Sequence, residues 1–216
     1  VWKAVCELTN DDYIGMVINA KNMTPLFSIN NELILLDKLD YWFLMGYFIC
    51  NGWIENSIID NNLKKIIFTV DVNNKYYNDI LSKMQIVLPD LIFLTQNDII
   101  RYFECVNNIW LNIYNMFSNI DDRVIPEWVQ DAPVEYICVF LDGFMKTNNT
   151  IVKSDKLRLE LQRLCVKCGY VYDYYDNILK KCSECVGRIY ISDGYVWYVP
   201  QITKKNVFNT LVYNFE

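Results

Sequence analysis

The chain has 216 residues, 53% hydrophobic and 15% aromatic, with 20 basic against 26 acidic residues and a net charge of −6. That length allows one large domain or two small halves, and that composition excludes a disordered chain. Histidine is absent, which excludes His-dependent triads, His metal ligands and an imidazole base. No apolar run reaches the ~18 residues of a membrane span, and no signal-peptide pattern opens the sequence.

Residues 2–18 read as a turn at Asn10-Asp11-Asp12 leading into a strand. Residues 19–39 read as a polar linker holding one extended apolar patch, Leu33-Ile34-Leu35-Leu36. Asp40 stands where it could cap an apolar helix running to Trp53. Trp53–Ile59 and Lys64–Val70 then read as strands joined by the turn Asp60-Asn61-Asn62. A helix over 73–85 follows, with Tyr77, Ile80, Leu81 and Met84 on one stripe. After a strand near 90–95, Asn97 is placed to cap a long helix over 98–117. Its buried stripe would be Ile99, Phe103, Val106, Ile109, Trp110, Ile113 and Phe117.

Pro126 and Pro133 bracket the approach to a second apolar helix over 134–146. A strand near 150–152 and a helix over 154–166 come next, then strands near 170–175, 188–192, 195–199 and 207–215. The order of the first half recurs in shortened form, which points to a pseudo-twofold pair and not a solenoid. Each apolar helix holds one internal glycine, Gly46 and Gly143. Glycine inside a helix costs about 1 kcal/mol against alanine, so two in matching places suggest closely packed backbones.

Those helices carry a resemblance. Residues 43–55, FLMGYFICNGWIE, and 125–151, IPEWVQDAPVEYICVFLDGFMKTNNTI, resemble the two motifs of the LAGLIDADG (DOD-type) homing endonucleases found in inteins. Residues 156–171, KLRLELQRLCVKCGYV, are similar to the helix after the second motif. The resemblance implies an α/β (α+β) fold, a pseudo-twofold pair of αββαββα-type halves. It assigns residues 40–125 and a trimmed 126–206 to the halves. Residues 1–39 and 207–216 would supply strand remnants of a Hint splicing domain, whose ends should lie close together. It further implies double-strand DNA as substrate, Mg²⁺ as cofactor, a monomeric pseudo-dimer, and a covalent place inside a larger host polypeptide. The motif helices would meet through Gly46, Cys50, Gly143 and Thr147, with a metal-binding carboxylate at the foot of each.

At the two carboxylate positions stand Asn51 and Asn148. Mg²⁺ is held by charged oxygens, and an asparagine offers one neutral carbonyl oxygen. Asp142, six residues before Asn148, would sit about 9 Å up the helix axis. Cleavage is therefore expected to be impaired, and both asparagines can be read as plain helix C-terminal caps. Without histidine the chain as it stands is not expected to splice.

Two further sets remain. Cys165-Val166-Lys167-Cys168 and Cys182-Ser183-Glu184-Cys185 have zinc-knuckle spacing, suited to a reducing intracellular compartment. Cys165 and Cys168 can equally be buried thiols ending a helix, as Cys6, Cys50, Cys105 and Cys138 are expected to be in the core. Lys64, Lys65, Lys153, Arg188, Lys204 and Lys205, interleaved with Tyr172, Tyr174, Tyr175, Tyr190 and Tyr198, form a candidate DNA surface. The plain alternative is a solvated strand face, and the acidic balance disfavours a long duplex footprint. A non-enzymatic DNA-binding or assembly domain stiffened by zinc is the alternative to an impaired endonuclease.

Overall fold

A helix that is apolar all round must be covered all round. Helix α1 (Leu39–Asn51) meets that condition, with every residue from Trp42 to Ile49 buried. The computed structural model describes residues 7, 9, 14–17, 26–29, 32–56, 64–96, 100–117, 123–147, 152, 154–170, 172–175, 178–181, 189–192 and 195–198. Before α1 come β1 (Ile14–Val17), β2 (Leu26–Ile29) and β3 (Glu32–Leu35). After it follow β4 (Gly52–Asn56), β5 (Lys64–Asp71), α2 (Tyr77–Val87), β6 (Ile92–Gln96), β7 (Ile100–Cys105) and α3 (Asn108–Asn115). The second part holds α4 (Glu127–Gln130), α5 (Val134–Met145), α6 (Asp155–Lys167), β8 (Tyr172–Tyr175), β9 (Ile178–Lys181), β10 (Ile189–Ser192) and β11 (Tyr195–Tyr198). The fold class is the mixed α/β expected.

One antiparallel sheet, ordered β4-β5-β7-β6, covers one side of α1. Its inner face presents Ile66, Phe68 and Val70, all fully buried. Phe48 of α1 meets Tyr114 of α3 at 4.5 Å and Phe68 of β5 at 5.8 Å between ring centroids. The other side of α1 packs along α5, the most extensive helix pairing among the described residues. Trp42 anchors the start of α1, its indole N–H donating to Leu36 O at 2.8 Å.

Three expectations need correction. The linker over 19–39 contains a hairpin, β2 paired with β3. The single helix over 98–117 is instead β7 followed by α3, and its cap is Asn107, whose side chain accepts from Ile109 N and Trp110 N. Asp40 is not the cap of α1. That position is Lys38, without a side-chain bond, while Asp40 sits in the first turn and pairs with Lys83 at 3.1 Å. An acid there still meets the positive end of the helix dipole.

Residues 146–154 separate α5 from α6, and 148–151 and 153 lie outside the described residues. Of the strand expected near 150–152, Val152 is described and is not in a strand. Hairpin β8–β9 follows α6, and β1 joins β11 and β10 in a three-stranded sheet beside α6. Residues 207–216 lie outside the described residues, as do Cys6 and the turn at 60–62.

Candidate functional site

The α1/α5 seam is built on its two glycines. A Cβ on Gly46 would lie 2.7 Å from Phe140 C and 3.1 Å from Phe144 N, with Phe140 O nearer still. A Cβ on Gly143 would lie 2.8 Å from Phe43 C, again with the carbonyl oxygen nearer. Phe43 and Phe140 each stand three residues before a glycine, so the two contacts are reciprocal. That is the signature of a local twofold axis crossing the seam. One turn on, Cys50 and Thr147 also meet, the Thr147 hydroxyl lying against the Cys50 thiol. The four interface positions expected from the resemblance are thus brought together.

Below them is the foot of the seam. Asn51 is the last residue of α1, half-buried, and its Nδ2 is buried without a hydrogen-bond partner among the described residues. It does not cap the helix, because that role falls to Gly52, whose N–H donates to Phe48 O. Thr69 Oγ1 donates to Asn51 O at 3.3 Å, and Tyr47 Oη donates to Thr69 O at 2.9 Å. Asn148 lies outside the described residues.

Sequence reasoning missed the cation here. Arg123 is 4% exposed, donates Nη2 to Gly52 O, and stacks its guanidinium 4.3 Å from the Phe48 ring centroid. Its Nε and Nη1 are buried, with no hydrogen-bond partner among the described residues. Among the described residues no carboxylate pairs with it. Burial lowers its pKa to about 10, still well above neutrality, and the nearby Cys50 acts in the opposite sense. Burial also pushes the Cys50 thiol up to about 12, so it stays neutral. Nothing local in the sequence marks Arg123 as buried; only the fold brings it under α1.

Of the nearby acids, Asp60 lies outside the described residues, and Asp142 and Glu55 are engaged elsewhere. Asp142 is exposed and paired with Lys146 at 2.9 Å, and Lys146 also holds Asp79 at 3.1 Å. Glu55 accepts from Trp53 Nε1 at 3.1 Å and pairs with Lys65 at 3.3 Å. A divalent cation needs anionic ligands. The described foot offers a neutral amide, a hydroxyl and a buried positive charge, so these residues do not fit Mg²⁺.

Of the candidate DNA surface, Lys64 is exposed at the start of β5. Lys65 is matched by Glu55 and by Glu104 at 2.9 Å, and the hydrogen bond to Glu104 raises its pKa. Trp53 and Tyr102 meet edge to face across the same sheet, at 6.4 Å. Lys153, Arg188, Lys204 and Lys205 lie outside the described residues, and so do the side chains of Tyr172, Tyr174, Tyr175, Tyr190 and Tyr198.

The proposed zinc set is seen only in its first pair. Cys165 is fully buried in α6, and Cys168 ends that helix. Cys168 is hydrogen-bonded to Cys138 of α5, which lowers the Cys138 pKa and raises its own. Cys138 and Cys165 line a cavity of about 210 Å³ with Leu141, Asp142, Met145 and Tyr170. Cys182 and Cys185 lie outside the described residues, and among the described residues no cluster of three or more metal-ligating side chains occurs.

No protein-family model and no curated protein matches the chain. Among solved structures it is similar to I-DmoI, a LAGLIDADG homing endonuclease, in complex with DNA and Mn. There the identity is 13%, covering 75% of this chain and 89% of that chain, with a TM-score of 0.47. The complex of I-DmoI with DNA and Ca gives 13%, 75% and 83%, at 0.47. A variant of I-DmoI with its target DNA in the presence of 2 mM Mg gives 13%, 75% and 89%, at 0.46.

Proposed function

We propose that this chain is a LAGLIDADG-type DNA-binding domain of intein origin whose metal-assisted cleavage is impaired. The observation that carries the proposal is the reciprocal glycine seam of α1 and α5 with an uncharged amide and a buried cation at its foot. The seam supports the family frame, because two helices approach at their backbones only where both lack a Cβ. The foot supports the loss of chemistry. Two-metal hydrolysis stabilises attacking and leaving oxygens with paired cations, and a buried guanidinium repels those cations where carboxylates would attract them.

The test is selection of a binding site from a randomised duplex pool, followed by incubation with Mg²⁺ or Mn²⁺. The expected result is a specific complex that leaves both strands intact. Efficient cutting by the unmodified chain would contradict the loss of chemistry, and absence of any duplex binding would contradict the domain assignment. The double variant Asn51→Asp, Asn148→Asp extends the test. It should bind the same site and remain inert, because Arg123 is still there to neutralise the new carboxylate at position 51.

A further inference from the structure

Three cysteines meet where the end of α6 packs on α5. Cys165 and Cys168 stand one helical turn apart, and α6 stops in a turn that fixes the second of them. Gly169 has a φ of 78°, its N–H donates to Val166 O, and Tyr170 N donates to Cys165 O, each at 2.9 Å. A left-handed glycine with those two bonds closes the last turn of a helix, so Cys168 is held at the cap position. From there its Sγ–H donates to Cys138 Sγ on α5. The same turn brings Tyr170 back beside Cys165, and both line the cavity of about 210 Å³ that Cys138 also lines. Asp142 and Tyr170 on its wall are exposed, and Cys138 and Cys168 are half-buried, so small solutes reach Cys138. Plain packing explains buried Cys105 and Cys165. It does not call for two half-buried thiols bonded to each other beside a solvent-facing cavity.

We infer that Cys138 is an oxidation site for hydroperoxides and that Cys168 is its resolving partner, the product being a disulfide that braces α5 to α6. The Cys138 sulfur attacks one peroxide oxygen, the O–O bond breaks, and the departing hydroxide leaves as water with the Cys138 proton. Cys138 is then a sulfenic acid, which condenses with a neighbouring thiol. The Cys168 sulfur attacks the Cys138 sulfur, the S–O bond breaks, and the hydroxide leaves as water with the Cys168 proton. Two thiols have lost two electrons and two protons, and hydrogen peroxide has become two waters. The bond requires the sulfurs to close to about 2.0 Å, and their hydrogen bond already sets them face to face. The loop 138–168 is then covalently shut, which ties α6 to a helix of the central seam. This site stands whether or not the chain binds DNA.

The test treats the full reduced chain with hydrogen peroxide in the presence of a chelator, then blocks remaining thiols and maps linked peptides by mass spectrometry. The expected product is a Cys138–Cys168 link within one chain, reversed by dithiothreitol. Closing a loop of that length should raise Tm by about 7–15 °C. Cys168→Ser should lose the link and leave Cys138 as a sulfenic acid that dimedone traps. Cys138→Ser should lose both the link and the dimedone adduct at that position. Circular dichroism checks that each variant is folded, and Cys168→Ala serves if the serine is not tolerated. Thiols that stay reduced overturn the inference, as does a link from Cys138 to Cys165. A dominant link from Cys168 to Cys182 or Cys185 overturns it too, because Cys168 would then face the second cysteine pair and not α5. A Cys138–Cys168 link that lowers Tm overturns the brace. Duplex binding by the reduced chain tests the proposed function separately, since neither result depends on the other.

Discussion

Replacing Gly46 with alanine should part the two central helices and cost about 3 kcal/mol. On propensity alone the change would help, by about 1 kcal/mol. Against this, the new Cβ would stand 2.7 Å from Phe140 C and 3.1 Å from Phe144 N. Carbon atoms rest at about 3.5–4.0 Å, and Phe140 O is nearer still, so α5 must retreat by more than about 1 Å. Both neighbours are backbone atoms, and no rotamer change relieves the overlap. A gap of about 0.5–1 Å forfeits a quarter to a half of each dispersion contact, and fully buried Phe43, Phe140 and Phe144 line the seam. Overpacking of this kind costs about 1–3 kcal/mol where side chains can adjust and more where they cannot. About 4 kcal/mol lost against about 1 gained leaves the figure stated. In a chain of 216 residues that lowers Tm by about 6–12 °C. Urea unfolding followed by circular dichroism measures it directly. Gly143→Ala should behave alike, and the double variant should cost less than the sum, since one separation makes room for both methyls. Unchanged or increased stability of Gly46→Ala would refute the close backbone approach.

Asn107→Ala should lose about 1 kcal/mol, because the side chain caps α3 through Ile109 N at 3.1 Å and Trp110 N at 3.2 Å; Asn107→Ser should restore most of it in the same unfolding assay. Cys138 should be alkylated faster than Cys50 or Cys165 at neutral pH, because Cys168 stabilises its thiolate while burial raises the other two. Peptide mapping after limited iodoacetamide treatment reads this, and Cys168→Ala should slow the modification. Lys65 carries a raised pKa through Glu104 and Glu55, so its contribution is complete below the ordinary lysine pKa and lost as pH climbs through the raised one. Lys65→Met should therefore flatten the alkaline end of a Tm-against-pH profile relative to the unmodified chain.

What the sequence made legible follows the range of the interactions involved. Helices α1 and α5 were visible because their apolar runs and glycines, and the prolines before α5, are local. Strands β4 and β5 were visible because turn residues separate them. The helix expected over 98–117 failed because Ile99, Phe103 and Val106 satisfy a helical spacing while 100–105 also pairs as a strand with β5. The stop before Asn107 is set by that pairing across the sheet. At the site, Asn51 could be located by counting from Gly46. Arg123 could not, since it reaches Gly52 from 71 residues away and only the packed seam encloses it. Lys65 looked available from its neighbours in sequence, and its partner Glu104 is 39 residues distant.

Strand β1 finds its neighbour in β11, with Ile14 opposite Tyr198. During synthesis at about 5–20 residues per second, that neighbour emerges roughly 10–35 s after β1 does. Throughout that interval the early strand has a free hydrogen-bonding edge, open to other nascent chains. The β1–β11 pairing is therefore a late step, and a holdase present during that interval should raise the yield of native protein more than one added afterwards.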